Sequence, residues 1–216
     1  MKLRSLLLIP LLTISTMANA AIPGTGIHNF TSTGLDPKVL QLGLKALQCA
    51  SKKGVNRRDD YLTIIDYSKP SSEKRLWVLD LKNNRVAINE LVAHGANTGQ
   101  KQAKHFSNKD GSHQSSLGVY VTGNTYTGKN GYSMRLLGLE NGFNDHALSR
   151  AIVLHGASYV SDQYIKRFGQ IGRSWGCPAV EKAKAAPTIN KIKGGSLVFA
   201  YYPDHHWLNR SNFLHC

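Results

Sequence analysis

The sequence predicts a mainly β domain with short peripheral helices, and three observations carry that expectation. Stretches rich in β-forming residues, at 61–67, 75–81 and 85–93, follow one another with only turn residues between them. Leu117, Val119 and Val121, and later Leu197, Phe199 and Tyr201, alternate with the period of two that gives a strand one apolar face. The longest helical pattern precedes these strands, at Val39, Leu40, Leu44, Leu47 and Ala50. Short strands joined by short turns indicate an antiparallel meander.

The chain has 216 residues, and its start reads as an export signal. Lys2 and Arg4 are positive, Leu6 to Ile14 is mostly apolar, and Ala18-Asn19-Ala20 supplies the small residues of a cleavage site. Cutting after Ala20 separates a signal peptide, 1–20, from a single domain, 21–216; the alternative is an uncleaved anchor. No other segment is long and apolar enough to span a bilayer, so no membrane span is expected in the mature chain. Residues 21–34, rich in Gly, Thr and Ser, are expected to be irregular. Asp36-Pro37 then offers a capping oxygen and a proline at the first helical position, and Gly54 closes that helix.

Ser68 to Ser72 and Lys82-Asn83-Asn84 are turns between the early strands, and the polar stretch 94–116 is a long loop. The glycine-rich segment 123–142 is expected to be a loop beside a cleft. Ala151 to His155 is an apolar strand. Ser161 caps a short helix that Gly169 ends, and Glu181 to Ala186 and Pro187 to Lys193 read as two more short helices. No internal repeat or linker interrupts the chain.

Net charge is +14, with the positive residues scattered. A basic exported chain suits an anionic surface such as a cell-wall polymer. Nucleic acid is not expected as a partner, because no arginine-rich arm or basic stripe interleaved with aromatics is present. Three cysteines are an odd count. Cys49 and Cys216 can pair with each other, or stand apart as a buried helix residue and a loose terminus.

Cys177 lies in Gly172-Arg173-Ser174-Trp175-Gly176-Cys177-Pro178-Ala179. A thiol between glycine and proline is poorly placed for packing and well placed for chemistry. Only about 3% of an ordinary thiol is ionised at pH 7, so a nucleophilic cysteine needs a base. His155, at the end of an apolar strand, is the candidate base, and the Gly156 carbonyl is the candidate group to orient its ring. Backbone amides around Gly176 and Cys177 are candidate oxyanion donors, and a nearby helix start is expected to lower the thiol pKa. Nine histidines are present, yet none forms a helical i, i+4 pair around a carboxylate and no CxxC occurs, so no metal or other cofactor is expected.

These residues resemble a known family. His155-Gly156 followed by Ser174-Trp175-Gly176-Cys177 resembles the L,D-transpeptidases with a YkuD-type domain, and Gly172 to Ala179 is similar to their divergent murein branch. Ser116 to Tyr120, Tyr126 to Ser133 and Leu137-Gly138-Leu139 with Gly142 and Asn144 add to the likeness, which runs from Val39 to Tyr201. The resemblance implies a YkuD-like β-sandwich catalytic domain with Cys177 as nucleophile, His155 as base and Gly156 as orienter. It implies that Ser174 shapes the site and that the amides near Gly176 hold the oxyanion. It further implies peptidoglycan stem peptides as substrate, a periplasmic or otherwise exported location, and acylation by carbapenems. The acceptor stays open among an amine, a lipoprotein lysine and water.

Two departures from the family pattern bear on the substrate. Trp175 stands where the motif has histidine, and Pro178-Ala179 replaces a hydrophobe-arginine pair, leaving Arg173 and Trp175 as candidate substrate-binding residues. The rival reading is a non-catalytic wall-binding module. NlpC/P60 peptidases place cysteine before histidine. Sortases need an arginine on a strand after the cysteine, whereas Arg210 falls beyond the last expected strand.

Overall fold

The structure, a computed structural model, describes residues 24–55 and 57–216; the expected signal peptide lies outside them. Asp36 caps α2 (Pro37–Lys52) by accepting from the Lys38 and Val39 amides. Val39, Leu40, Ala46, Leu47 and Ala50 form the buried face of that helix. Eight strands follow: β1 (Tyr61–Asp66), β2 (Leu76–Asp80), β3 (Arg85–Glu90), β4 (Gly118–Gly128), β5 (Gly131–Gly138), β6 (Val153–Ala157), β7 (Ala179–Glu181) and β8 (Leu197–Tyr201). The remaining helices are α1 (Gly24–Thr31), α3 (Asp162–Phe168), α4 (Lys182–Ile192) and α5 (His205–Arg210).

The strands form one sheet in the order β3-β2-β1-β8-β4-β5-β6-β7. The β1-β2-β3 meander is antiparallel as expected. Two pairs depart from that pattern: β8 runs parallel to β1, and β7 parallel to β6. Neither pair is closed by a hairpin: the chain crosses from β6 to β7 through α3, and it enters β8 from α4. Just beyond β3, Ala93 bridges Ala179 of β7, its amide 2.8 Å from the Ala179 carbonyl. The two edges of the sheet therefore meet, and the expected sandwich is a single sheet rolled nearly closed over its apolar side chains. Trp77, Ile64, Leu40, Phe199 and Trp207 lie in that core.

Three sequence expectations are corrected. Residues 24–31 are helical rather than irregular, and Phe30 from α1 is buried in the core, so packing overrides the weak helix propensity of Gly and Thr. The glycine-rich stretch is not a loop but the β4–β5 hairpin, turned by Lys129-Asn130. Its glycines serve close approach instead. Gly123 falls where the register shifts, and any Cβ on Gly138 would collide with the Asn144 backbone. The two short helices are one, α4, with Pro187 inside it. Ala185, Thr188, Ile189 and Ile192 bury the same face on either side of the proline, which holds the helix together despite the missing amide.

Ser161 and Gly169 cap α3 as expected, the latter in the left-handed conformation. Cys49 is bonded to Cys216, with Cα atoms 6.0 Å apart, which ties α2 to the C-terminal tail and leaves Cys177 as the free thiol.

Candidate active site

The sheet order places the site. His155 is the central residue of β6, and the parallel neighbour β7 follows directly from the cysteine turn, so His155 pairs with Ala179, two residues after Cys177. Cys177 and His155 line one cleft of about 860 Å³. The Val153 amide donates to the Cys177 sulfur at 3.5 Å, and the sulfur stands 3.7 Å from the Ala151 carbonyl. Ala151 is a non-glycine residue at φ 54°, a costly left-handed conformation, at the head of the strand that carries the histidine.

The cysteine turn is braced from within. Ser174 Oγ donates to the Cys177 carbonyl at 2.6 Å and accepts the Gly176 amide at 3.1 Å. Gly176 has φ +120°, and a Cβ there would lie 2.8 Å from the Gln114 carbonyl, so only glycine fits. Its carbonyl accepts from Ser115 Oγ. The Gly176 amide is therefore spent on Ser174, and Gly176 does not line the cleft. Among the described residues the Cys177 amide has no such partner, which makes it the oxyanion candidate of this turn.

His155 is 5% exposed, and its Nδ1 lies 3.1 Å from the Gly156 carbonyl. A carbonyl only accepts, so Nδ1 carries the proton and Nε2 keeps its lone pair. Gly156 also lets α4 approach closely. A Cβ there would stand 3.0 Å from Lys182 Cα and 3.1 Å from Ala185 Cβ.

Burial pushes the Cys177 thiol above its ordinary value, and the Val153 amide and the Arg150 charge pull it only partly back. Burial also lowers the His155 imidazole, partly offset by its bond to Gly156. The resting pair is thus a neutral thiol and a neutral imidazole. The expected lowering by a helix start is absent for a structural reason: Cys177 precedes β7, and α4 begins only at Lys182.

Arg173 lines the cleft, with Nη1 donating to the Ala96 and Gly99 carbonyls at 3.1 and 3.2 Å. Trp175 is 75% exposed and stacks on His113 at 4.8 Å between ring centroids. Sequence reasoning missed Arg150. It stands at the cleft and holds the loop through the Ser107 and Gln114 carbonyls and the Ser112 and Ser116 hydroxyls. The 94–116 segment is no free flap: the Ala96 amide bonds the Ser174 carbonyl, and the Gly95 amide bonds Ser115 Oγ.

A nearly closed sheet that brings a free thiol and a half-free imidazole to one cleft defines the class of domain. The chain belongs to the L,D-transpeptidase catalytic domain family, whose model matches residues 31–201. No curated protein matches it.

Solved structures similar to it include an L,D-transpeptidase from Mycobacterium smegmatis, at 11% identity and TM-score 0.40, over 66% of this chain and 59% of that one. The helical cell shape determining protein from Campylobacter jejuni aligns at 12% identity and TM-score 0.44, over 74% and 56%. An L,D-transpeptidase from Xylanimonas cellulosilytica aligns at 16% and 0.38, over 71% and 68%. The chain thus spans about three fifths of the Mycobacterium smegmatis structure.

Proposed function

We propose that this protein is an exported cysteine acyltransferase acting on peptidoglycan stem peptides. The observation that carries the reading is the shared cleft, lined by both Cys177 and His155, whose imidazole has Nδ1 fixed by the Gly156 carbonyl and Nε2 left to act. Because thiol and imidazole are both neutral at rest, proton transfer accompanies attack rather than preceding it.

The sulfur adds to the carbonyl at the L-centre of diaminopimelate in a tetrapeptide donor while its proton passes to His155 Nε2. The oxyanion takes the Cys177 amide. Collapse breaks the bond to terminal D-Ala, whose nitrogen leaves with the His155 proton. An amine of a second stem gives a proton to His155 and attacks the thioester, and the thiolate departs and recovers that proton. The product is a 3-3 crosslink; water as acceptor makes the same machinery an L,D-carboxypeptidase.

The Cys49–Cys216 disulfide supports export, since such bonds persist in oxidising compartments. The scattered positive charge supports a wall polymer as partner.

The test is mature protein with purified muropeptide tetramers, read by mass spectrometry, with Cys177→Ala as control. Release of D-Ala with crosslinked dimer, absent in the variant, is the expected result, together with a carbapenem adduct on Cys177. A wild-type protein that yields neither product nor adduct removes the enzyme reading and leaves the wall-binding module.

A further inference from the structure

The cleft has two unlike walls. β5 and β7 flank β6 on opposite sides, so the hairpin tip that precedes β5 and the cysteine turn that precedes β7 reach the cleft from opposite sides of His155. One wall carries Lys129 from that tip and Lys182 from the start of α4, whose Cα sits against Gly156, the residue after His155. Tyr132 Oη donates to Asn190 Oδ1 at 3.1 Å and joins the hairpin to α4, so this wall is one unit. Lys184, two residues further along α4, pairs with Glu90 at 3.4 Å, whereas among the described residues Lys129 and Lys182 have no ion-pair partner. No Asp or Glu lines the cleft. Arg150 and Arg173 also line the cleft but donate to carbonyls and hydroxyls of the protein, so Lys129 and Lys182 are the cleft cations left to meet an anion from the substrate.

We propose that Lys129 and Lys182 bind the free α-carboxylate of the amino acid whose nitrogen His155 handles; this rests on the acyl-transfer reading above. The leaving nitrogen must lie at His155 Nε2 to receive its proton, and the carboxylate of a terminal D-residue is only one carbon further on, toward the lysine wall. The acceptor amine enters where the leaving amine departed. At the D-centre of diaminopimelate that amine again stands next to a carboxylate. One pair of lysines therefore reads both half-reactions, and a flexible ammonium, a point charge with rotatable donors, tolerates the two poses better than a guanidinium fork. These lysines supply a carboxylate contact that the motif itself, with Pro178-Ala179 in place of an arginine, does not.

The experiment is calorimetric, on Cys177→Ala protein, so that no turnover intervenes. The probes are a stem tetrapeptide with a free C-terminal carboxylate and the same peptide as its C-terminal amide. The acid is expected to bind about tenfold more tightly, as for one charge-assisted contact. In the Lys129→Gln/Lys182→Gln background its affinity should fall to that of the amide, which itself should not change. Equal affinities, a gap that survives both substitutions, or no binding of either peptide at millimolar concentration overturns the proposal. Selective binding of the acid by a wild-type protein that releases no D-Ala removes the acyl-transfer reading and leaves the carboxylate site. Equal turnover of acid and amide does the reverse.

Discussion

Two histidines flank the cysteine turn, and both stand in a His-Gly-Ala sequence: His94-Gly95-Ala96 and His155-Gly156-Ala157. Ala93 and His155 pair with the same residue, Ala179, from opposite sides and in opposite directions. Both rings are buried, and burial lowers the pKa of both. They differ in how their nitrogens are used. Nδ1 of His94 accepts from Arg75 Nη2 at 2.7 Å, and Nε2 lies 3.2 Å from the Gly99 carbonyl, so nothing is left over. Arg75 is itself fully buried, with further bonds to the Val92 and Lys69 carbonyls. His155 spends one nitrogen on Gly156 and opens the other to the cleft. What separates a structural histidine from a candidate catalytic one here is a single unspent lone pair.

Substitution breaks this comparison most sharply. His155→Ala is expected to lower kcat/KM by about 10²–10⁴ while the folded state persists, measured by D-Ala release alongside a urea melt. His94→Ala should invert that pattern. Removing the acceptor of a buried guanidinium and opening a cavity should cost about 3–4 kcal/mol in the urea melt, with a far smaller effect on kcat/KM of the folded protein.

Titration sharpens the contrast. Burial, aided by the Arg75 charge, holds His94 down at about 4, against an ordinary 6.5, so between these values the unfolded chain binds the proton and the folded one does not. Its contribution to stability is complete above pH 6.5 and is lost as pH falls toward 4, about 3 kcal/mol in all. Between pH 7 and 4, urea melts should show wild type losing about 3 kcal/mol more stability than His94→Asn loses over the same range. The His155 pKa is also lowered, so the acidic limb of kcat/KM should fall below pH 6.5. The smallest effect is expected at Gly156→Ala. The added methyl, 3.0 Å from Lys182 Cα, should displace α4 at a cost of about 1–2 kcal/mol, seen as a lower Tm.

The sequence carried the frame of this comparison but not its decisive part. Periodicity revealed β1, β2, β3, β8 and α2, because each buries one face whose residues recur at the period of its own element. Periodicity missed the β4–β5 hairpin, since its glycines answer to the Asn144 backbone, which only the folded chain brings near. The thiol and His155 were legible as a pair by motif. His94 was not legible as anything, although it shares the same tripeptide, because its role is set by Arg75 across the sheet. Lys182 and Arg150 gave no local sign either. The parallel β6–β7 pairing that assembles the cleft joins segments 22 residues apart, with α3 between them.

The Cys49–Cys216 link encloses 167 residues of sequence, including every strand and both His-Gly-Ala tripeptides. A protease that nicks the chain once anywhere inside that ring releases no fragment. Both pieces stay covalently attached, the rolled sheet keeps its strands at high local concentration, and the cut shows on a gel only after reduction. In an environment shared with degradative enzymes, the link turns a single cut into a repairable break in shape rather than a loss of material.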